Sequence, residues 1–187
     1  MTFDSNEEMY FSWYLDELKD NGYISSYSRS KSYVLSEPLT STYIKQMKRV
    51  ANKIIDYSYL RGHIYTPDFC IEWTEKARGI FFHDCFDTSS KINNFPFMTY
   101  ITEQDGKVSI CSEVEVKAIF DQNNMTRLAI INIKWLYDKF EILTTVIKPQ
   151  KLFKETFTPD KYLTTNKSKQ GRKIQWKVNS ISEFINK

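Results

Sequence analysis

The stretch KVSICSEVEVKAI, residues 107–119, decides how the rest of the chain is read. It is the clearest strand in the sequence, and side chains along a strand alternate between its two faces. Val108, Ile110, Val114 and Val116 therefore share one face, suited to a core. Glu113, Glu115 and Lys117 share the other. Two carboxylates and an amine on one strand face are either charges spaced over a solvated sheet surface or the parts of a chemical site. A second segment separates these readings. Residues 63–73, HIYTPDFCIEW, are β-rich, with Pro67 interrupting. Proline has no N–H to give a ladder, so Pro67 belongs at a bend or an unpaired position. Asp68 then stands where a strand bends, and hairpin-like pairing with residues 107–119 sets it beside Glu115.

That pairing has a chemical reading. Hydrolysis of a phosphodiester needs an activated water, neutralisation of charge at phosphorus and a stabilised leaving oxygen. Two carboxylates can hold one or two Mg²⁺ ions that polarise the phosphate and acidify bound water. A lysine beside them can orient the water or balance developing negative charge.

Pro67-Asp68 followed by Glu115-Val116-Lys117 resembles the PD-(D/E)XK signature of restriction-endonuclease-like nucleases. The resemblance extends over about residues 5–147. Many members draw a further acid from an early helix, the place Glu8 occupies here. A helix and another core strand usually follow the signature strand, as residues 124–147 would supply. Tyr65-Thr66-Pro67-Asp68-Phe69 and Lys134-Trp135-Leu136-Tyr137 also resemble segments of small phage-encoded members. The gap between Asp68 and Glu115 exceeds the family's usual spacing and implies an inserted hairpin.

The resemblance implies an α/β fold with a restriction-endonuclease-like core, a mixed sheet of about four or five strands flanked by helices. It implies a DNA-cleaving enzyme acting in phage DNA processing or recombination, with Mg²⁺ as cofactor and Mn²⁺ able to substitute. Asp68, Glu115, Lys117 and Glu8 are the catalytic candidates. Asp68, Glu115 and the backbone of Val116 are the metal-binding candidates, with Glu113 competing with Glu115. Arg127, Lys134, Arg172 and Lys173 are candidate DNA contacts. A junction resolvase, acting as a homodimer, and a non-catalytic nucleic-acid-binding module on the same fold are the alternatives.

The remaining elements follow from periodicity. Residues 5–20 form an amphipathic helix with Phe11, Tyr14, Leu15 and Leu18 on one face. Ser5 is its N-cap, Glu8 its capping-box partner and Gly22 its stop. Glu8 thus has two readings, cap and catalytic acid. Residues 25–36 read as a Ser-rich loop with an extended piece at Tyr33–Leu35, and residues 39–61 are open between strand and helix. Short strands are expected at Ile80–Phe82 and Phe97–Thr102, with a tight turn at Asp105-Gly106. Residues 124–139 read as a helix presenting Leu128, Ile131, Trp135 and Leu136, and residues 141–147 as a strand. Thr158-Pro159 resembles a helix start, Lys173–Val178 a strand and Ser180–Ile185 a closing helical turn. Among other residues weighed for the site, Glu72 shares the face of Asp68 in a regular strand, while His83, Asp84 and Asp87 read as loop residues.

Composition sets the bounds. A chain of 187 residues, 41% hydrophobic and 26% charged, suits one globular domain with a full core, which the resemblance implies is a single nuclease domain. The core is expected over about residues 5–147, with a basic extension over 148–187. Ten Lys/Arg and three Asp/Glu fall in residues 148–187, which on charge alone reads either as a polyanion contact on that side or as a solvated lysine-rich surface. Three cysteines, Cys70, Cys85 and Cys111, without CxxC spacing argue against a disulfide framework and structural zinc. No apolar run approaches the about 20 residues of a membrane span, and residues 1–10 are polar and acidic. The expectation is a cytoplasmic protein, in the host cytoplasm if phage-encoded, with no membrane partner.

Overall fold

The computed structural model describes residues 3–48, 51–83, 95–104, 106–120, 125–165 and 174–186. Helix α1 spans Asn6–Asp20. The Ser5 hydroxyl accepts the Glu8 amide at its start. At its end Gly22, with φ 74°, donates to Lys19 and Tyr23 donates to Leu18. That is the Schellman closure a left-handed glycine permits. Strands β1 (Ile24–Ser28), β6 (Phe69–Trp73), β8 (Lys107–Val116) and β7 (Tyr100–Gln104) lie side by side in that order. All are antiparallel to their neighbours. Strand β9 (Thr144–Ile147) runs parallel to the C-terminal half of β8. The fold is thus mixed α/β on a mostly antiparallel five-stranded sheet.

Between Asp68 and Glu115 lies the hairpin β7–β8, whose connection includes Gly106 at φ 73°. The Ser-rich stretch is more ordered than its composition implies, because residues 24–28 pair with β6 as the sheet edge. Residues 39–61 resolve into strands. With β2 (Tyr33–Ser36), β3 (Leu39–Lys45), β4 (Lys53–Leu60) and β5 (His63–Tyr65), one long hairpin forms, β2 pairing with β5 and β3 with β4. Gly62 sits at the joint between the two pairs. A Cβ there would lie 3.2 Å from both the Pro38 ring and the Ser36 carbonyl. The expected strand at 80–82 reduces to single bridges at Phe82, and residues 174–178 are not a strand.

One sheet face is the main core. Phe11, Tyr14, Leu15 and Leu18 of α1 pack with Phe69, Ile71, Trp73, Val114, Val116 and Ile147. The alternation of β8 holds only toward its C-terminus. Val114 and Val116 are buried, but Val108 is 62% exposed because it lies where the sheet runs out. The last forty residues are not an appendage. Helices α3 (Pro149–Glu155), α4 (Asp160–Thr164) and α5 (Ile181–Ile185), with the segment joining the first two, place Leu152, Phe153, Phe157, Tyr162 and Ile181 in the same core. Phe157 stacks on Tyr14 with ring centroids 4.3 Å apart. Ser180 and Glu183 form a capping box at the start of α5.

Helix α2 (Met125–Phe140) turns a different face inward from the one periodicity favours. Ala129 and Leu136 are buried, while Leu128 and Ile131 are about half exposed and Trp135 is 38% exposed. The reason is that α2 packs on the β2–β5 pair, through a small cluster of Tyr33, Leu35, Tyr65 and Leu136, rather than across the main core. No helix among the described residues is long and apolar enough to cross a membrane.

Phe157→Ala tests whether the C-terminal helices are integral. Loss of a fully buried phenyl ring should cost about 3–5 kcal/mol, read as a lower urea midpoint with unchanged slope. A cost below about 1 kcal/mol would show that residues 148–186 pack loosely.

Candidate active site

The outward face of β8 is not solvated. Glu113 is 1% and Glu115 6% exposed, because the β2–β5 pair covers them. Tyr33 and Tyr65 lie directly opposite each other in that pair. Their hydroxyls reach down to successive outward residues of β8: Tyr33 donates to Glu113 at 2.7 Å and Tyr65 to Glu115 at 2.8 Å. Burial and the adjacent carboxylates push both tyrosines well above the ordinary phenol range, so both remain protonated donors.

The two glutamates then part company. Glu113 takes further hydroxyls from Ser30 and from Tyr100, the latter at 3.0 Å. It is closed in by neutral donors from three segments and serves as a structural hub. Glu115 instead receives the Lys117 ammonium at 2.5 Å on its other oxygen, next to the strand end where Asp68 lies.

Asp68 is held from both sides of its backbone. Its amide donates to the Val114 carbonyl at 2.9 Å, and its carboxylate accepts the Val116 amide at 2.7 Å. The bend at Pro67 lets the residue before β6 turn its carboxylate onto the end of β8, adjacent to Glu115. Burial, and then the Glu115 charge, raise its pKa from 3.8 to about 6. The Val116 amide pulls the other way, Glu8 adds to the rise and Lys117 opposes it.

Glu8 joins this cluster through Arg29. The guanidinium bonds Glu8 at 2.5 Å, the Asp68 carbonyl at 3.3 Å, and approaches the Asp68 carboxylate at 3.9 Å. It also lies over the Phe69 ring at 5.2 Å. Glu8 meanwhile bonds Ser5 and the Asp4 amide. The capping box is only half formed, because the Glu8 carboxylate takes the Asp4 amide and the Ser5 hydroxyl in place of the Ser5 amide. Three carboxylates, Glu8, Asp68 and Glu115, face two cations, Arg29 and Lys117.

The structure brings Asp68, Glu115, Lys117 and Glu8 together. It does not bring Glu72, which pairs with Lys107 at 2.9 Å and bonds Ser109 and Ser26. Those partners hold its pKa down at about 2. Glu72 lines a polar groove of about 400 Å³ on the same sheet face with Cys70 and Cys111. Arg127 and Lys134 are exposed on α2 and take no part in the cluster's contacts among the described residues. His83 packs against Phe95 elsewhere. Arg172, Lys173, Asp84, Asp87, Cys85 and Asp105 lie outside the described residues. Sequence reasoning missed Arg29, Tyr33, Tyr65 and Tyr100. Only Tyr65 had a signal, its place two residues before Pro67. Arg29 sits in a Ser-rich run with no local mark of its role.

Oxygen donors of this kind suit a hard cation such as Mg²⁺. Among the described residues no group of three or more His, Cys, Asp or Glu side chains is arranged to hold a metal ion. A bound cation would have to be held by two carboxylates, Asp68 and Glu115, with the Val116 carbonyl and water. Burial first and the Glu115 charge second keep Asp68 above its usual range; a bound cation would relieve the second of these.

Comparison of the chain with family models, with curated proteins and with solved structures gives no match.

The raised pKa of Asp68 sets a pH dependence with a definite sign. The unfolded chain loses this proton near pH 3.8 and the folded chain near pH 6. The folded state therefore binds more protons between those values, and stability falls as pH rises through that window. Asp68→Asn should remove this slope and raise stability at pH 8 by about 2 kcal/mol in metal-free buffer. Urea unfolding of both proteins from pH 4 to 8 measures it; parallel curves would show that Asp68 is not strained by its neighbours.

Proposed function

We propose that the chain is a metal-dependent nuclease that hydrolyses phosphodiester bonds of DNA, related to the PD-(D/E)XK enzymes. The observation that carries this reading is the meeting of Asp68, Glu115 and Lys117 at the end of the β6–β8 pair. Asp68 is far in sequence from the other two, and a solvated charge face would not bury Glu115 and partly bury Asp68 and Lys117. The order of elements also supports a restriction-endonuclease-like core. Helix α1 precedes three antiparallel strands, β1, β6 and β8, and α2 leads into β9, parallel to β8. Glu8 enters from the early helix, as the resemblance implies.

A divalent cation held by Asp68, Glu115 and the Val116 carbonyl would polarise the phosphate and acidify a bound water. The chain's own residues do the rest. Tyr65 fixes one Glu115 oxygen, so that residue enters the reaction in a set rotamer. Lys117, held by its ion pair with Glu115, orients the attacking water and balances negative charge as the phosphorus becomes five-coordinate. Arg29 holds Glu8 and Asp68 in place and offsets their mutual repulsion. Phage DNA processing or recombination is the setting we assign to this activity.

Incubation of plasmid DNA with the protein and Mg²⁺, with an EDTA control, is the direct test. Asp68→Ala and Glu115→Ala should each abolish cleavage while leaving DNA binding in Ca²⁺ largely intact. Lys117→Ala should lower the single-turnover rate about 10²-fold or more, and Lys117→Arg should not restore it, since a planar guanidinium does not replace a point charge. Full activity in Asp68→Ala, or equal rates for wild type and Lys117→Ala at saturating Mg²⁺, would refute the assignment.

A further inference from the structure

The β3–β4 ribbon makes no contribution to either hydrophobic cluster. It continues from the β2–β5 pair, whose tyrosines hold Glu113 and Glu115. Its register sorts its side chains into two unlike faces. Lys45 lies opposite Lys53, Tyr43 opposite Ile55 and Ser41 opposite Tyr57. Tyr59, the extra residue where the register shifts between the Thr40–Ser58 and Leu39–Leu60 pairs, joins this face through its ring contact with Tyr57, giving three tyrosines leading to a pair of lysines. The other face carries Thr42 opposite Asp56 and Ile44 opposite Ile54, and so holds the ribbon's acid.

Two features of the first face call for a partner. Tyr43, Tyr57 and Tyr59 are 50%, 52% and 61% exposed, and the last two rings touch edge to face at 4.9 Å. A folded chain rarely leaves three neighbouring rings open without use. Lys45 and Lys53, both exposed, face each other directly, and like charges directly opposite destabilise a strand pair. An anion lying across them removes that cost. Aromatic faces in a row beside cations are the chemistry that takes a single strand of nucleic acid, with bases stacked on rings and phosphates on lysines. Asp56 on the far face repels phosphate and restricts the strand to one side.

We infer that the tyrosine–lysine face of the β3–β4 ribbon binds single-stranded nucleic acid and delivers it toward the Asp68–Glu115 cluster. The delivery rests on the nuclease reading; the binding does not.

The test uses full-length Asp68→Ala protein in EDTA, so that binding is read without cleavage, with a fluorescein-labelled single strand of about 20 nucleotides, longer than one such binding face spans, and the matching duplex as probes. Anisotropy should show tighter binding to the single strand. Tyr43→Ala and Tyr57→Ala should each weaken it by about 5-fold to 100-fold, the range for removal of one base stack. Lys45→Ala with Lys53→Ala should flatten the salt dependence by about 0.7 in log–log slope for each phosphate no longer neutralised. Thr42→Ala, on the opposite face, should change neither. Circular dichroism and urea midpoints confirm that the variants fold. Wild-type binding by the tyrosine variants, duplex binding that depends on them equally, or absence of single-strand binding overturns the proposal. So does sedimentation in which the tyrosines support only self-association. A parallel cleavage assay with wild-type Asp68 keeps the two readings apart. Ribbon-dependent binding without metal-dependent cleavage leaves the ribbon standing and sinks the nuclease. Cleavage with binding untouched by the ribbon variants does the reverse.

Discussion

The antiparallel register between β6 and β8 is the constraint on which the rest depends. Phe69 lies opposite Val114, and this single alignment places the preceding residue, Asp68, against the end of β8. Its amide and carboxylate then bond Val114 and Val116 in turn. A slip of one residue would exchange the faces of every side chain on the strand. Phe69 and Ile71 would leave the core, and Asp68 would leave Glu115. Packing of the apolar face and assembly of the acidic cluster are therefore one decision, enforced by the burial of Phe69, Ile71, Val114 and Val116 beneath α1.

The cost of that arrangement is visible on the opposite face. Buried carboxylates are tolerated only when hydrogen-bonded or paired. Glu113 is satisfied by three hydroxyls, from Ser30, Tyr33 and Tyr100. Those donors tie a loop, the β2–β5 pair and β7 to the central strand. Glu115, one step along the same face, is held by Tyr65 and Lys117. One glutamate organises the cover and the next is presented at its edge. Asp68 is partly buried beside Glu115, and that burial first, then the Glu115 charge, raises its pKa. A protein selected for stability alone would neutralise it; one that handles a cation or a phosphate has reason to keep it.

The long hairpin 33–65 links this interior to the surface. At its base, Tyr33 and Tyr65 face the glutamates. Beyond the close approach at Gly62, its outer half is exposed on both faces. The same ribbon therefore closes one side of the cluster and extends from it, whereas α3 and the segment that follows it pack into the core through Phe153 and Phe157.

The sequence by itself determined the local elements whose signals are carried by neighbouring residues. Ser5, Gly22 and the spacing of Phe11, Tyr14, Leu15 and Leu18 defined α1, and the run from Ser180 to Ile185 marked α5. The alternation of residues 107–119 marked the central strand, and Pro67 marked the bend that presents Asp68. The grouping of Asp68, Glu115 and Lys117 was legible because strand period and a two-part motif both pointed to it, while Glu8 was reached only through the resemblance's early-helix acid. Tertiary structure alone decided the rest. Burial of the Glu113–Glu115 face depends on a cover contributed by residues 33–65. Arg29 acquires its role from partners distant in sequence. The inward face of α2 follows from packing on β2 and β5 rather than on the main core, so its strongest apolar period turned outward. Helical and strand periods record which residues can share a face; which face meets another element is fixed only when the whole chain has packed.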